Sequence, residues 1–182
     1  AVSGDNAPLT FYKTTNSGDN WIVTYETDSN GTFGDAMFTN INTGYVAKNY
    51  SVFTYTNAKI YKTTNAGINW FIIFNNNTLI EDLSYYDENN LYMSYPTSKV
   101  FRSTDGGANW NLIFNKSYEY FLRAQFVSPN IGYITGYRNF LYKTTNSGLS
   151  WIELDPRFQE TKDLYFINTN TGFLFNGYNI KI

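Results

Sequence analysis

The stretch Tyr12-Lys13-Thr14-Thr15-Asn16-Ser17-Gly18-Asp19-Asn20-Trp21 occurs in four versions along this chain. The others run from Tyr61 to Trp70 (YKTTNAGINW), Phe101 to Trp110 (FRSTDGGANW) and Tyr142 to Trp151 (YKTTNSGLSW). They share an eight-residue box, [Ser/Thr]-x-[Asn/Asp]-x-Gly-x-[Asn/Ser]-Trp, whose last position takes all four tryptophans of the protein. A chain in which every Trp closes the same motif is a repeat protein.

Each box position has a physical role. Thr14, Thr63, Ser103 and Thr144 offer a hydroxyl to the turn that they open. Asn16, Asn65, Asp105 and Asn146 are expected to accept from backbone amides two residues on, which fixes a tight turn. Gly18, Gly67, Gly107 and Gly148 supply a positive φ without steric cost. Trp21, Trp70, Trp110 and Trp151 bury a large ring and keep one N–H to satisfy. The flanks are strand-like, FYK or LYK before and WIVTY, WFIIF or WNLIF after. Each copy is therefore expected to be a β-hairpin pinned by its own side chains, with a structural rather than a catalytic box.

Composition narrows the function. The 182 residues carry a net charge of −2 with no basic stripe, which argues against nucleic-acid binding. There is no Cys, so disulfides and thiolate metal sites are excluded, and the redox compartment cannot be read from cysteines. There is no His, which removes the Ser-His-Asp triad, imidazole ligands and the usual general base near neutral pH. No apolar run reaches the roughly 18 residues that a membrane span needs. The 17 Tyr and 15 Phe favour strands, and the many Asn favour turns. The chain starts with Ala1 and no hydrophobic signal region precedes it, as after removal of a leader or at a domain boundary.

A second element alternates with the box. Phe38-Thr-Asn-Ile-Asn42-Thr-Gly44-Tyr45 returns as Phe126 to Tyr133 (FVSPNIGY) and Phe166 to Phe173 (FINTNTGF). A weaker copy, Tyr85 to Tyr92, has Leu91 in place of Gly. This too is a strand–turn–strand unit. From box Trp to the next Gly-Tyr position is 24, 22, 23 and 22 residues, and from there to the next Trp 25, 18 and 18. One repeat is thus ~40 residues and four strands, A to D, the size of a propeller blade. The expected architecture is all-β: one domain, 1–182, a β-propeller of four-stranded antiparallel blades. No stretch has a helical period; Pro156 to Asp163 comes nearest and is too short.

The box resembles the Asp-box, or BNR repeat. The run Phe126 to Gly148 is similar to the photosystem II stability/assembly-factor-like branch, and related boxes occur in sialidases, sortilin-type receptor domains and some xyloglucanases. The resemblance implies a propeller over nearly the whole chain. It implies little about function, because in the enzymes that carry it the box lies away from the active face. The chain departs from the pattern with Asn in three boxes where the family has Asp, with Leu91 for Gly, and with Ser150 for Asn.

With blades ordered A-B-C-D, box turns lie at one end, and the D–A and B–C loops at the other, where propellers usually bind. The first B–C loop, Ala47–Ala58, is seven residues longer than its counterparts and carries Tyr50, Phe53 and Tyr55. It either lengthens the hairpin or forms a contact loop. Tyr95, Tyr118, Tyr120, Tyr137 and Tyr178 fall on the same end, with Arg123, Arg138 and Arg157. Tyr and Arg are typical anchors of protein interfaces, and Tyr also stacks on sugars. The leading expectation is a non-catalytic binding or scaffold module for a protein partner, secreted, periplasmic or on the cell surface, with no cofactor or metal. The alternatives are a carbohydrate-binding propeller and a glycoside hydrolase or a fragment of one. Only four Arg are present for a sialidase-like site, and no carboxylate pair is marked for a glycosidase.

Two further expectations come from aligning the repeats. Three residues before the A-strand aromatic stand Asp35, Asp82, Arg123 and Asp163, an expected axial ring in which Arg123 bonds one or two carboxylates, and water, a neighbouring loop or a hard cation compensates the others. One residue later stand Ala36, Leu83, Ala124 and Leu164, expected to pack between blades. The chain also opens on a C–D half-blade, Phe11 to Tyr25, and closes on an A–B half-blade, Leu164 to Gly177. They are expected to join as one composite blade and seal a four-bladed ring; the alternative is a segment of a larger propeller.

Overall fold

A computed structural model describes residues 9–27, 31–52, 55–97, 99–117, 120–136, 140–154 and 161–176. The chain groups into two compact units, Ala1–Ile80 and Glu81–Ile182. In the first, β1 (Thr10–Lys13) and β2 (Ile22–Glu26) form a two-stranded antiparallel sheet. Strands β3 (Thr32–Phe38), β4 (Gly44–Val52), β5 (Tyr55–Thr63) and β6 (Phe71–Asn76) form an antiparallel four-stranded meander. The second unit holds two such meanders. One is β7 (Asp82–Tyr85), β8 (Leu91–Tyr95), β9 (Lys99–Ser103) and β10 (Asn111–Asn115); the other is β11 (Phe121–Phe126), β12 (Gly132–Gly136), β13 (Leu141–Thr144) and β14 (Ile152–Leu154). A two-stranded sheet, β15 (Thr161–Phe166) and β16 (Gly172–Asn176), follows. The A-B-C-D order read from the repeats is the observed strand order.

The four box turns are alike. The Ser/Thr hydroxyl accepts from the box Gly amide, at 3.0 Å for Gly18, 2.9 Å for Gly67, 2.8 Å for Gly107 and 3.0 Å for Gly148. The Asn/Asp side chain accepts from the amide four residues on, at 2.9 to 3.0 Å. The box glycines have φ between 83° and 96°. The residue before each also has a positive φ: Ser17 57°, Ala66 58°, Gly106 67° and Ser147 63°. In the complete blades this residue's N–H bonds the A–B turn, Ala66 to the Asn42 carbonyl (2.8 Å), Gly106 to Asn89 (3.1 Å) and Ser147 to Asn130 (3.0 Å). The two turns of each blade are thus locked at one end.

The Phe-to-Gly spacing of the A–B element has a steric cause. Phe38, Phe126 and Phe166 pair across the ladder with Gly44, Gly132 and Gly172. A Cβ on those glycines would lie 2.5, 2.6 and 2.5 Å from the Phe rings. In β7–β8, Leu91 faces Tyr85; Leu91 is fully buried and Tyr85 turns out to 41 % exposure. Leu91 takes the volume that the ring fills elsewhere, which accounts for the departure from Gly.

Of the two readings of Ala47–Ala58, the lengthened hairpin is the one found: the β4–β5 ladder continues to Val52↔Tyr55, because alternating polar and aromatic residues satisfy a two-faced strand. The composite blade is not found among the described sheets, where β1–β2 and β15–β16 are separate two-stranded sheets. Trp21 is 60 % exposed, while the other three box tryptophans are half-buried.

Candidate functional site

Strand A carries the charged constellation. A β-bulge between Phe33 and Asp35, between Phe121 and Arg123, and between Thr161 and Asp163 places each charged residue directly after the irregularity. Bulges re-aim side chains in this way, and nothing in the residue pattern announced them. In the second unit Arg123 joins two carboxylates. Its Nε donates to Asp163 Oδ1 at 2.9 Å and its NH2 to Asp163 Oδ2 at 3.4 Å; its NH1 donates to Asp82 Oδ1 at 3.1 Å. Asp82 is buried and its second oxygen accepts from the Ala124 amide at 3.3 Å. One guanidinium thus ties β7, β11 and β15 together. Asp35 belongs to the first unit, where it accepts from the Ala36 amide at 2.8 Å. Leu83, Ala124 and Leu164 are buried as expected, but Ala36 is exposed.

The expected aromatic anchors divide. Tyr120 stands at the loop end of the second unit, 58 % exposed. Tyr95 is not a surface anchor: it is 5 % exposed and packs on Phe101 with ring centroids 4.7 Å apart, since β8 is buried along its whole length. Tyr50 is half-buried in the first unit, with the Lys48 and Lys59 ammonium groups 4.8 and 5.0 Å from its ring and its hydroxyl 3.4 Å from that of Tyr61. Phe53, Tyr118, Tyr137, Arg138, Arg157 and Tyr178 lie outside the described residues, as does the side chain of Tyr55.

A polar cluster not marked by sequence reasoning lies in the second unit. The Tyr142 hydroxyl donates to Glu153 Oε2 at 3.0 Å, and the Lys116 ammonium reaches both the Tyr142 hydroxyl and Glu153 Oε2. The Tyr142 hydroxyl and the ammonium hold the Glu153 carboxyl below the usual range. No spacing rule links residues 116, 142 and 153; the fold alone assembles them. Among the described residues no group of three or more carboxylates gathers to hold a metal ion. Among the described residues no helix is long and apolar enough to cross a membrane.

One box titrates. The Asn109 side chain and amide and the Ser103 hydroxyl hold the Asp105 carboxyl down to about 2. A depressed pKa stabilises the fold above the ordinary carboxylate value, and that contribution is lost as pH falls through the folded value. The Asp105 carboxyl is expected to titrate near pH 2 by carbon-detected NMR, and Asp105→Asn to flatten the acid limb of unfolding. A midpoint near the ordinary 3.8 would contradict this. The other three boxes carry Asn at this position.

No family model matches the sequence, and no curated protein matches it. Solved structures do. YCF48 from Cyanidioschyzon merolae is 20 % identical over 68 % of this chain and 37 % of its own, with a TM-score of 0.56. The GH74 enzyme of Niastella koreensis is 16 % identical over 81 % of this chain and 26 % of its own, TM-score 0.58. The GH74 xyloglucanase of Xanthomonas campestris is 15 % identical over 66 % and 23 %, TM-score 0.52. This chain therefore spans little more than a third of YCF48 and about a quarter of the two GH74 enzymes. At such identities the likeness shows the fold, a β-propeller of four-stranded antiparallel blades whose box turns are those described above.

Proposed function

We propose that this propeller is a non-catalytic binding or scaffold module that engages a protein partner through the D–A and B–C loop end of its blades. The observation that carries this reading is the contrast between the two ends. At the box end, turn amides and carbonyls are spent on one another in every complete blade. At the loop end of the second unit, Tyr120 is exposed and Lys116 stands 42 % exposed with Glu153. An exposed Tyr and a fixed charge pair at one end suit protein recognition, where aromatic anchors supply area and charges set register. A glycosidase needs two carboxylates facing each other across a cleft, one acting as acid. Asp82 and Asp163 both accept from Arg123 instead, which favours a structural use of the pair.

The test has three arms on one preparation. A pull-down from the native source is expected to retain a defined protein in stoichiometric amount, lost on Tyr120→Ala and kept on Leu149→Ala, which lies in a box turn. A glycan array is expected to stay silent, and chromogenic glycosides to go unturned. Saturable binding to one glycan class, or turnover that survives repurification, would overturn the reading.

A further inference from the structure

The β3–β6 blade carries a ribbon that its own flanking strands do not follow. Strand β3 leaves β4 at the pair Thr32↔Asn49, and β6 leaves β5 at Ala58↔Asn76. The β4–β5 ladder runs on through Tyr50↔Asn57 and Ser51↔Thr56 to Val52↔Tyr55, a two-stranded ribbon at the loop end. In the other two complete blades strands B, C and D stop together. The β8–β9 ladder closes at Tyr95↔Lys99 beside Lys99↔Asn115, and β12–β13 at Thr135↔Leu141 beside Leu141↔Leu154. The root of the ribbon is anchored on both sides. Asn49 Nδ2 donates to the Ile80 carbonyl at 2.8 Å, and its Oδ1 accepts from the Ile80 amide at 2.9 Å. Asn57 Nδ2 donates to Asn75 Oδ1 at 2.8 Å and to the Asn76 carbonyl at 3.0 Å.

The ribbon rises from a cationic stretch in a chain whose net charge is −2. No Asp or Glu stands between Asp35 and Glu81, a span that holds Lys48, Lys59 and Lys62. Lys48 and Lys59 face each other across the ladder, where like charges cost stability. Their ammonium groups lie 4.8 and 5.0 Å from the Tyr50 ring, whose negative face offsets part of that repulsion. Lys48 is fully buried, with its Nζ donating to Thr27 Oγ1 at 2.6 Å, so it acts on a ligand through its field. Lys59 is only half-buried and Thr56, farther up the same strand, is exposed.

We propose that this ribbon is the contact element for an acidic, extended segment of the protein partner, which pairs with a ribbon edge and sets a carboxylate on the Lys59 ammonium. The proposal deepens the loop-end reading above and rests on it only for the partner being a protein. A ladder edge that no neighbouring strand of its blade follows offers main-chain donors and acceptors to an extended peptide. The like-charge pair at its foot, kept at a cost to the hairpin, supplies the complement to an anionic side chain. A nucleic acid would need a track of cations along its phosphates, whereas this end of the blade offers Lys59 and the field of Lys48.

The probe is a fluorescein-labelled peptide of alternating Glu and Val, with a Lys-and-Val peptide as its counterpart and an oligothymidylate of equal charge as the polyanion control. Anisotropy with the full chain is expected to show saturable binding of the Glu peptide and none of the Lys peptide, weakening about tenfold from low to physiological salt. Lys59→Glu is expected to weaken it at least about tenfold, and the milder Lys59→Gln several-fold, with circular dichroism unchanged. Lys99→Glu makes the same charge change at the equivalent ladder position of the next blade and is expected to leave affinity within about twofold. Amide hydrogen exchange is expected to slow on binding at residues 50–52 or 55–57. No binding of the Glu peptide, equal losses on Lys59→Glu and Lys99→Glu, tighter binding of the oligothymidylate, or no slowing in the ribbon would overturn the proposal. A native protein still retained in the pull-down would then leave the loop-end reading standing, so the two fail separately.

Discussion

Trp151→Ala is expected to destabilise the second unit by about 3 kcal/mol, the lower end for removal of a buried large aromatic. The ring packs edge-on against Phe114 and Phe126, at 5.4 and 6.0 Å between centroids, so its loss opens a cavity between two blades. Its Nε1–H donates to the Ile113 carbonyl of β10 at 2.9 Å, and that half-buried acceptor loses its partner as well. Trp151→Phe separates the two contributions: it keeps most of the packing and should cost about 1 kcal/mol for the unmet carbonyl. Urea unfolding midpoints at constant slope give both numbers. A Trp151→Ala variant as stable as the parent would mean that the box Trp does not bind blade to blade.

Arg123→Ala is expected to cost about 3 kcal/mol, toward the low end for breaking a buried ion pair because the Arg side chain is 41 % exposed. The loss falls on Asp82, whose side chain is 5 % exposed and would keep its buried charge without the guanidinium that faces it. Arg123→Lys should recover only part, since one ammonium cannot reproduce a fork that reaches Asp82 and Asp163 together. Adding Asp82→Asn to Arg123→Ala should restore stability relative to Arg123→Ala alone, because it removes the uncompensated charge. Additivity of the two substitutions in a double-mutant cycle would contradict the pairing.

These expectations divide along the line of what the residues disclose. The box was legible because its interactions are local: Thr144, Asn146 and Gly148 bond within one turn, so residue type and spacing carry the whole geometry. Strand order followed from the alternation of two turn types. The pairing of Arg123 with Asp82 and Asp163 was legible in part, because repeats align equivalent positions. Its geometry depends on bulges, which are decided by the pairing of strands A and B within a blade rather than by the bulged residues. The positive φ of Ser17, Ala66 and Ser147 was hidden because the turn imposes it on residues with no preference for it. Tyr95 was misplaced for a related reason: a Tyr near a strand end reads as surface until Phe101 is seen to cover it. The half-blades were recognised as complementary, but complementarity does not say whether the partner lies in the same chain.

The most direct test of the binding account asks which end of a blade touches another protein in the native source. A photo-crosslinking residue is placed at Tyr120 on the loop end and, separately, at Leu149, 89 % exposed in a box turn. The account predicts one protein adduct of defined mass at position 120 and none at 149. The same adduct at 149, or none at 120 in folded protein, would contradict it.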